Sequence, residues 1–381
     1  MHGPGRRVQA GVEERETILT VRVFTGSLTR PMPQYGAANG EGLRGFDFDP
    51  ATGRLAARAT APAIDDTGWV LCDAGRGVLY ATCEVSGSSQ SAVAAYRIGE
   101  TELVPINQQP TGGNEACHLS LTGDGRHLLV ANYNGALHDG RPSGSVAVFP
   151  LAEDGSIGAA TCVVDHGGSG PHRERQASAH AHCVVPAPSG HLVYVADLGI
   201  DQVKVYRPHP DGQLQPQPEI DASLPPGLGP RHLVFSGDGS RLFLVSELIP
   251  TVMSFRVDAE TGALVELDRY AIPSPAGGLC QPAGILLHPG QRHLYVGLRL
   301  SDEILALEIG PDGSLTPAGR WPSGGSTPRD FALTPDGRHL IVANQDSDRL
   351  SVFAVDAAGA LGGPVSQIDV GTPMSVTIAA R

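Results

Sequence analysis

Arg231 and Glu247 are the first residues of this sequence to suggest chemistry. They flank the two apolar runs of GPRHLVFSGDGSRLFLVSEL, from Gly229 to Leu248, which are separated by Ser-Gly-Asp-Gly. Asp-Gly between β-prone segments signals a tight hairpin, because glycine accepts the positive φ of the reversal. Folding about Gly239 brings Arg231, before the first strand, beside Glu247, after the second. A guanidinium next to a carboxylate there is either a cross-strand ion pair or part of a site. Arginine offers carboxylate or phosphate a planar fork of donors, and carboxylates and imidazoles can carry protons.

Similar hairpins recur, and each delivers residues to the corresponding end. Counting from the turn glycines, Cys117, His182 and Arg329 correspond to Arg231. Cys83, Asn132, Asp197, Leu298 and Asn344 correspond to Glu247, and His118, His232, Asp330, Arg299 and Gln345 fall next to these. The longest interval between hairpins holds an insertion at the same end, DHGGSGPHRERQASAHAH (165–182). It carries His166, His172, Arg173, Arg175, His180 and His182. In an acidic chain this local cluster would attract an anionic ligand. His180-x-His182 can bind metal, but no further ligand is fixed by spacing. Asn and Asp after strands are also ordinary turn formers, and His191, His293 and His339 are expected on the surface at the opposite end.

The elements that position these residues form a repeat. GVLYATCE (77–84), RHLLVANY (126–133), HLVYVADL (191–198), RLFLVSEL (241–248), RHLYVGLR (292–299) and RHLIVANQ (338–345) each follow a turn, and TVRVFTGS (20–27) is a seventh block without one. The period is about fifty residues. A second turn series runs in step, including ATGRL (51–55), EDGSI (153–157), PDGQL (210–214), ETGAL (260–264), PDGSL (311–315) and AAGAL (357–361). Two hairpin turns and about four strands per repeat describe a propeller blade. The first repeat lacks an inner strand, and the chain ends on an unpaired one, PMSVTIA (373–379). The expected fold is all-β: a seven-bladed β-propeller with four-stranded blades, closed by pairing the C-terminal strand into the N-terminal blade. Residues 1–16 are expected to be a loose tail and 17–381 a single domain.

Composition narrows the function. Among 381 residues, 41% are hydrophobic, enough for a core, and the formal net charge of −13 argues against nucleic acid and anionic membranes as partners. The six cysteines show no CxxC or other metal spacing and read as reduced thiols of a cytoplasmic protein. The first apolar stretch, Ile18 to Phe24, is short and broken by Arg22, which fits neither a signal peptide nor a membrane span.

Several segments carry a resemblance: NQQPTGG (107–113), CHLSLTGDGRHLLVANY (117–133), SGPHRERQASAHAH (169–182), VADLGIDQVKVY (195–206), GPRHLVF (229–235) and TPRDFALTPDGRHLIVANQDSD (327–348). In this order they resemble the seven-bladed propeller lactonases of the bacterial 6-phosphogluconolactonase type, with carboxymuconate-lactonizing enzymes as distant members. The resemblance places His182 (with His180), Arg231, Glu247 and Arg299 where active-site residues are expected. It implies hydrolysis of a sugar lactone, 6-phosphoglucono-1,5-lactone first, by Glu247 or His182 as general base and acid, with Arg231 and Arg299 as electrostatic clamps. His180, His118, Arg329, Asn132, Asp197, Asn344, Gln345 and Arg175 would bind substrate. The chain departs from the family pattern at Ala283-Gly284 and at Leu298-Arg299-Leu300.

No cofactor is required by this scheme. A metal-dependent site would instead hold a divalent cation between Asn132, Asp197, Glu247 and Asn344. The same fold could also serve a cycloisomerase acting on a carboxymuconate-type lactone, or a non-catalytic ligand-binding propeller. The expected partner is a small anionic sugar lactone, and the expected state a monomer or homodimer.

Overall fold

The computed structural model describes residues 21–32, 38–60, 65–84, 91–134, 144–274 and 278–379; the expected tail, residues 1–16, lies outside them. Seven antiparallel sheets stand in a ring. Blade 2 runs from the axis outward through Thr67–Asp73, Val78–Cys83, Ala92–Ile98 and Leu103–Pro110. Blade 3 is built from Asn114–Leu121, His127–Asn134, Ser145–Pro150 and Cys162–Asp165. Blade 4 uses Ala181–Pro186, Val193–Asp197, Gln202–Pro208 and Leu214–Pro216, and adds a short fifth strand, Ala222–Ser223. Blade 5 comprises Pro230–Phe235, Arg241–Ser246, Thr251–Val257 and Leu264–Ala271. Blade 6 comprises Pro282–Leu287, His293–Leu298, Glu303–Ile309 and Leu315–Pro322. Blade 7 comprises Pro328–Leu333, His339–Asn344, Arg349–Val355 and Leu361–Asp369.

Blade 1 closes the ring as expected. Its inner strand is the C-terminal Pro373–Ala379, followed by Val21–Ser27, Leu43–Asp49 and Arg54–Thr60. The pairing runs antiparallel from Arg22 opposite Ala379 to Ser27 opposite Pro373. Two single-turn 3-10 helices are the only helices among the described residues, and none is long and apolar enough to cross a membrane.

Position in the blade explains the sequence pattern. The second strand is covered on both faces by neighbouring blades, so Val78–Cys83, His293–Leu298 and His339–Asn344 are buried throughout. Such strands need continuous apolar runs, and each fully buried Val or Leu stabilises the fold by about 1.5–3 kcal/mol. The outermost strands face solvent, and Leu361–Asp369 is largely exposed.

Adjacent blades are joined by the second turn series. The hydroxyls of Tyr80, Tyr194 and Tyr295 donate to the carbonyls of Gly155, Gly262 and Gly359, each the turn glycine of the next blade's outer hairpin. Gly262 has φ of 81°, and an added Cβ would lie 2.1 Å from Leu192. Both conformation and space therefore require glycine. His293 and His339 pack against Gly359 and Gly53 in the same way and are buried, contrary to the expected surface placement; His191 is exposed.

A second joint lies at the opposite mouth. Asp201, Asp302 and Asp348 adopt left-handed backbone conformations, which Asp tolerates, and their carboxylates accept from the backbone N–H groups of Gly229, Thr327 and Thr372 in the following blade.

Candidate active site

A β-bulge near the start of each inner strand builds the site. The pairing jumps from Pro230 opposite Ser246 to His232 opposite Val245, leaving Arg231 as the extra residue. The same jump leaves Cys117 extra in blade 3, His182 in blade 4 and Arg329 in blade 7. A bulge breaks the alternation of side chains and re-aims the extra residue. Here it turns consecutive residues toward the axis in two layers.

The upper layer lines a cavity of about 470 Å³ with Cys117, His182, Arg231 and Arg329. The lower layer closes its floor. His118 lies 3.4 Å from the Cys183 sulfur, and Trp69 of blade 2 meets both His118 of the adjacent blade (ring centroids 4.5 Å apart) and His232 of blade 5 (5.3 Å).

Residues at the ends of the second strands complete the wall: Glu84, Glu247 and Arg299 just past theirs, and Tyr133 next to last in His127–Asn134. Gly68 occupies the blade 2 bulge, and a Cβ there would lie 2.2 Å from a Glu84 carboxylate oxygen, so glycine makes room for the acid. Glu115, Asn134, Glu174, Arg175, His180 and Gln281 supply the rest, which gives four guanidinium groups and four carboxylates.

Glu247 is the electrostatic centre. Its oxygens accept from Arg231 Nε (3.0 Å), Arg175 (2.6 Å) and Gln281 (3.3 Å), and Arg299 Nη2 lies 2.9 Å away. Burial alone would raise its pKa, but Arg299, Arg175 and Arg231 hold the carboxyl well below the usual range. The clamps differ in access: the side chains of Arg231 and Arg299 are 3% and 11% exposed, that of Arg175 35%. Arg329 donates to the Gln345 side chain (3.3 Å) and stands 4.0 Å from Glu84.

The imidazoles are neutral groups. His180 stacks on Tyr133 (centroids 4.2 Å apart, planes 10° apart), and its Nδ1 lies 3.0 Å from the Tyr133 carbonyl. A carbonyl only accepts, so the proton sits on Nδ1 and Nε2 carries the lone pair. Burial lowers the pKa of His180; burial and the Arg231 charge push that of His182 much further down.

Of the residues expected to gather here, Glu247, His182, Arg231, Arg299, His180, Arg329 and Arg175 line the cavity. Gln345 supports Arg329 from behind, and His118 belongs to the floor. Asn132, Asp197 and Asn344 face elsewhere. They are the strand partners of Ala116, Ala181 and Pro328, equivalent to Ser246 rather than Glu247. Asn132 donates to Ser145 and Thr111, and Asn344 to Ser351 and Ser323. Asp197 accepts from the His180 and Gly199 backbone and from His166.

Three of the four residues expected to hold a divalent cation are thus engaged within their own blades. Among the described residues, no group of three His, Cys, Asp or Glu side chains could hold a metal ion. The basic insertion also divides. His166 is buried between Asp197 (2.6 Å) and the Tyr206 hydroxyl (2.8 Å), and His172 and Arg173 are exposed outside the lining.

Sequence reading missed Glu84, Glu115, Tyr133, Asn134, Glu174 and Gln281. Equal spacing from the turn glycine could have found Tyr133: Gly125 to Tyr133 repeats the interval from Gly239 to Glu247.

Comparison with known proteins agrees with this architecture. Residues 22–378 match the family model "Lactonase, 7-bladed beta-propeller", and the chain belongs to that family. It is 30% identical over 326 residues to the 6-phosphogluconolactonase of Bacillus subtilis strain 168, covering 84% of this chain and 89% of that protein. A 6-phosphogluconolactonase of Formosa agariphila is 28% identical over 341 residues, covering 88% of this chain and 92% of that one. Among solved structures, the periplasmic gluconolactonase of Pseudomonas aeruginosa superposes with a TM-score of 0.83 at 32% identity, covering 94% of this chain and 99% of that one.

Proposed function

We propose that the protein hydrolyses 6-phosphoglucono-1,5-lactone to 6-phosphogluconate, a step of the pentose phosphate pathway. The observation that carries the hydrolytic reading is the Glu247 carboxylate with three guanidinium groups fixed around it beside a neutral imidazole. The relatives named 6-phosphogluconolactonase support the substrate.

The mechanism needs an activated water, stabilisation of a tetrahedral oxyanion and a proton for the leaving oxygen. Glu247 is a poor base because its oxygens are taken and its pKa is very low. Its role is to hold Arg231 and Arg299 in place for the oxyanion. His180 is the better base, since its tautomer leaves Nε2 free of a proton and its pKa is less depressed than that of His182. His180 takes a proton from water as the water oxygen bonds to the lactone carbonyl carbon. The ring C–O bond then breaks, and the imidazolium returns the proton to the leaving oxygen. Arg175 and Arg329 hold the substrate's polar groups.

A second substrate reading, unphosphorylated gluconolactone, is favoured by the match of four guanidinium groups to four carboxylates, which leaves the lining without excess positive charge for a phosphate dianion. The deciding experiment compares kcat/KM for 6-phosphoglucono-1,5-lactone and glucono-1,5-lactone. A preference for the phosphorylated lactone supports the first reading, the reverse preference supports the second, and turnover of neither removes both. The six cysteines, none of them bridged, support a cytoplasmic location, which cell fractionation would test.

A further inference from the structure

Arg231 is held on two sides. Its Nε donates to Glu247, and its Nη1 lies 2.9 Å from Nε2 of the adjacent His232. Consecutive side chains of a regular strand point to opposite faces. The bulge between Pro230 and His232 brings these two to the same side. A guanidinium has donors only, so His232 Nε2 must carry a lone pair and its proton must sit on Nδ1.

The surroundings keep it so. His232 is buried edge-on to Trp69 and His182 (centroids 5.3 Å) and to His118 (5.6 Å). The charged and titratable groups acting on it are Arg231, His182, His118 and Arg329, and with burial they hold the imidazole in its neutral form. An apolar side chain could fill the same box but would leave a buried guanidinium N–H without this acceptor.

We propose that His232 is a positioning residue: its Nε2 lone pair fixes the rotation of the Arg231 guanidinium against Glu247 and so presents Arg231 to the cavity in one orientation. This rests on the proposed function, in which Arg231 stabilises the oxyanion. His232 itself stands in the floor, beneath the reacting atoms, and acts through Arg231.

Three substitutions test it on the full chain. Glutamine places an amide oxygen near the Nε2 position, asparagine only near the Nδ1 position, and phenylalanine supplies volume without an acceptor. His232→Phe and His232→Asn should lower kcat about 10- to 100-fold with KM within about 3-fold, and His232→Gln should restore most of kcat. Wild-type kcat in the Phe or Asn variant, or a Gln variant as impaired as Phe, would overturn the proposal.

A second measurement does not depend on activity or on the variants folding. The 15N spectrum of selectively labelled wild-type protein should show His232, assigned by through-bond connectivity, as the Nδ1–H tautomer between about pH 5 and 8. An Nε2–H tautomer, or titration in that range, would refute the hydrogen bond. If the wild-type protein hydrolyses no lactone, the catalytic reading fails, while the tautomer still decides whether His232 orients Arg231.

Discussion

Arg231 Nε stands 3.0 Å from Glu247 Oε2, and both side chains are only 3% exposed. The pair joins the two ends of one hairpin, and Arg299 and Arg175 close on the same carboxylate. A buried ion pair of this kind stabilises less than its geometry suggests, because both charges lose water, but removing one member leaves the others stranded.

Glu247→Gln should therefore act on architecture more than on proton transfer. We expect kcat/KM to fall at least ~100-fold and stability to drop by about 3–5 kcal/mol, with the shape of the pH–rate profile unchanged. Steady-state kinetics across pH, with denaturant unfolding, checks this. Loss of the acid limb in this variant would return the role of base to Glu247.

The base assignment predicts a direction in pH. His180 must be neutral to accept a proton, and burial lowers its pKa from the ordinary value of 6.5. Activity should thus rise with pH through a limb below 6.5 and level off near neutrality. His180→Gln should remove that limb and lower kcat by about 10²–10⁴-fold. A limb that persists in the variant would exclude His180 as base.

Asp330 offers a stability test of the channel. Burial raises its carboxyl from 3.8 to about 6, and one oxygen accepts from the Val376 backbone of the closing strand (3.0 Å). A raised folded-state pKa favours the native form while the acid is protonated. That contribution is complete below about pH 4 and is lost as pH rises through about 6. Asp330→Asn keeps an acceptor without the charge. It should raise stability at about pH 7.5 by an amount on the order of 3 kcal/mol at most, with the gain shrinking toward about pH 4. Thermal unfolding at the two pH values reads the difference, and equal shifts at both would contradict the assignment.

Chelation separates this site from a metal-dependent one. Asn132, Asp197 and Asn344 are committed to serine hydroxyls and backbone groups or to His166, so prolonged treatment with a chelator should leave lactone hydrolysis within about 2-fold of the untreated rate. Loss of activity restored by a divalent cation would overturn this.

The fold is legible in the sequence because it is periodic. Seven apolar blocks recurring about every fifty residues read as second strands packed between neighbours, and a C-terminal strand without a partner matches an N-terminal blade without an inner strand. The site is legible to within one residue. The hairpin alignment identifies Glu247, but it points to Cys83, Asn132, Asp197, Leu298 and Asn344 where the structure puts Glu84, Tyr133, Leu198, Arg299 and Gln345. In a strand, one position changes the face, so this small offset exchanges the cavity for the space between blades. The bulges that aim Arg231, His182 and Arg329 leave no composition signal, because the extra residue is defined only by the pairing across the strands. Long-range partners such as Arg175 and Glu247 are likewise invisible until the insertion is folded over the mouth.

The pairing of Arg22 with Ala379 has a consequence for biosynthesis. Val21–Ser27 leaves the ribosome about 350 residues before its inner partner, Pro373–Ala379, is made. Until that partner is available, blade 1 exposes a raw strand edge. Such an edge invites pairing with other chains, so a chain truncated before Pro373 would yield material bound for aggregates or for chaperones rather than a slightly shortened propeller.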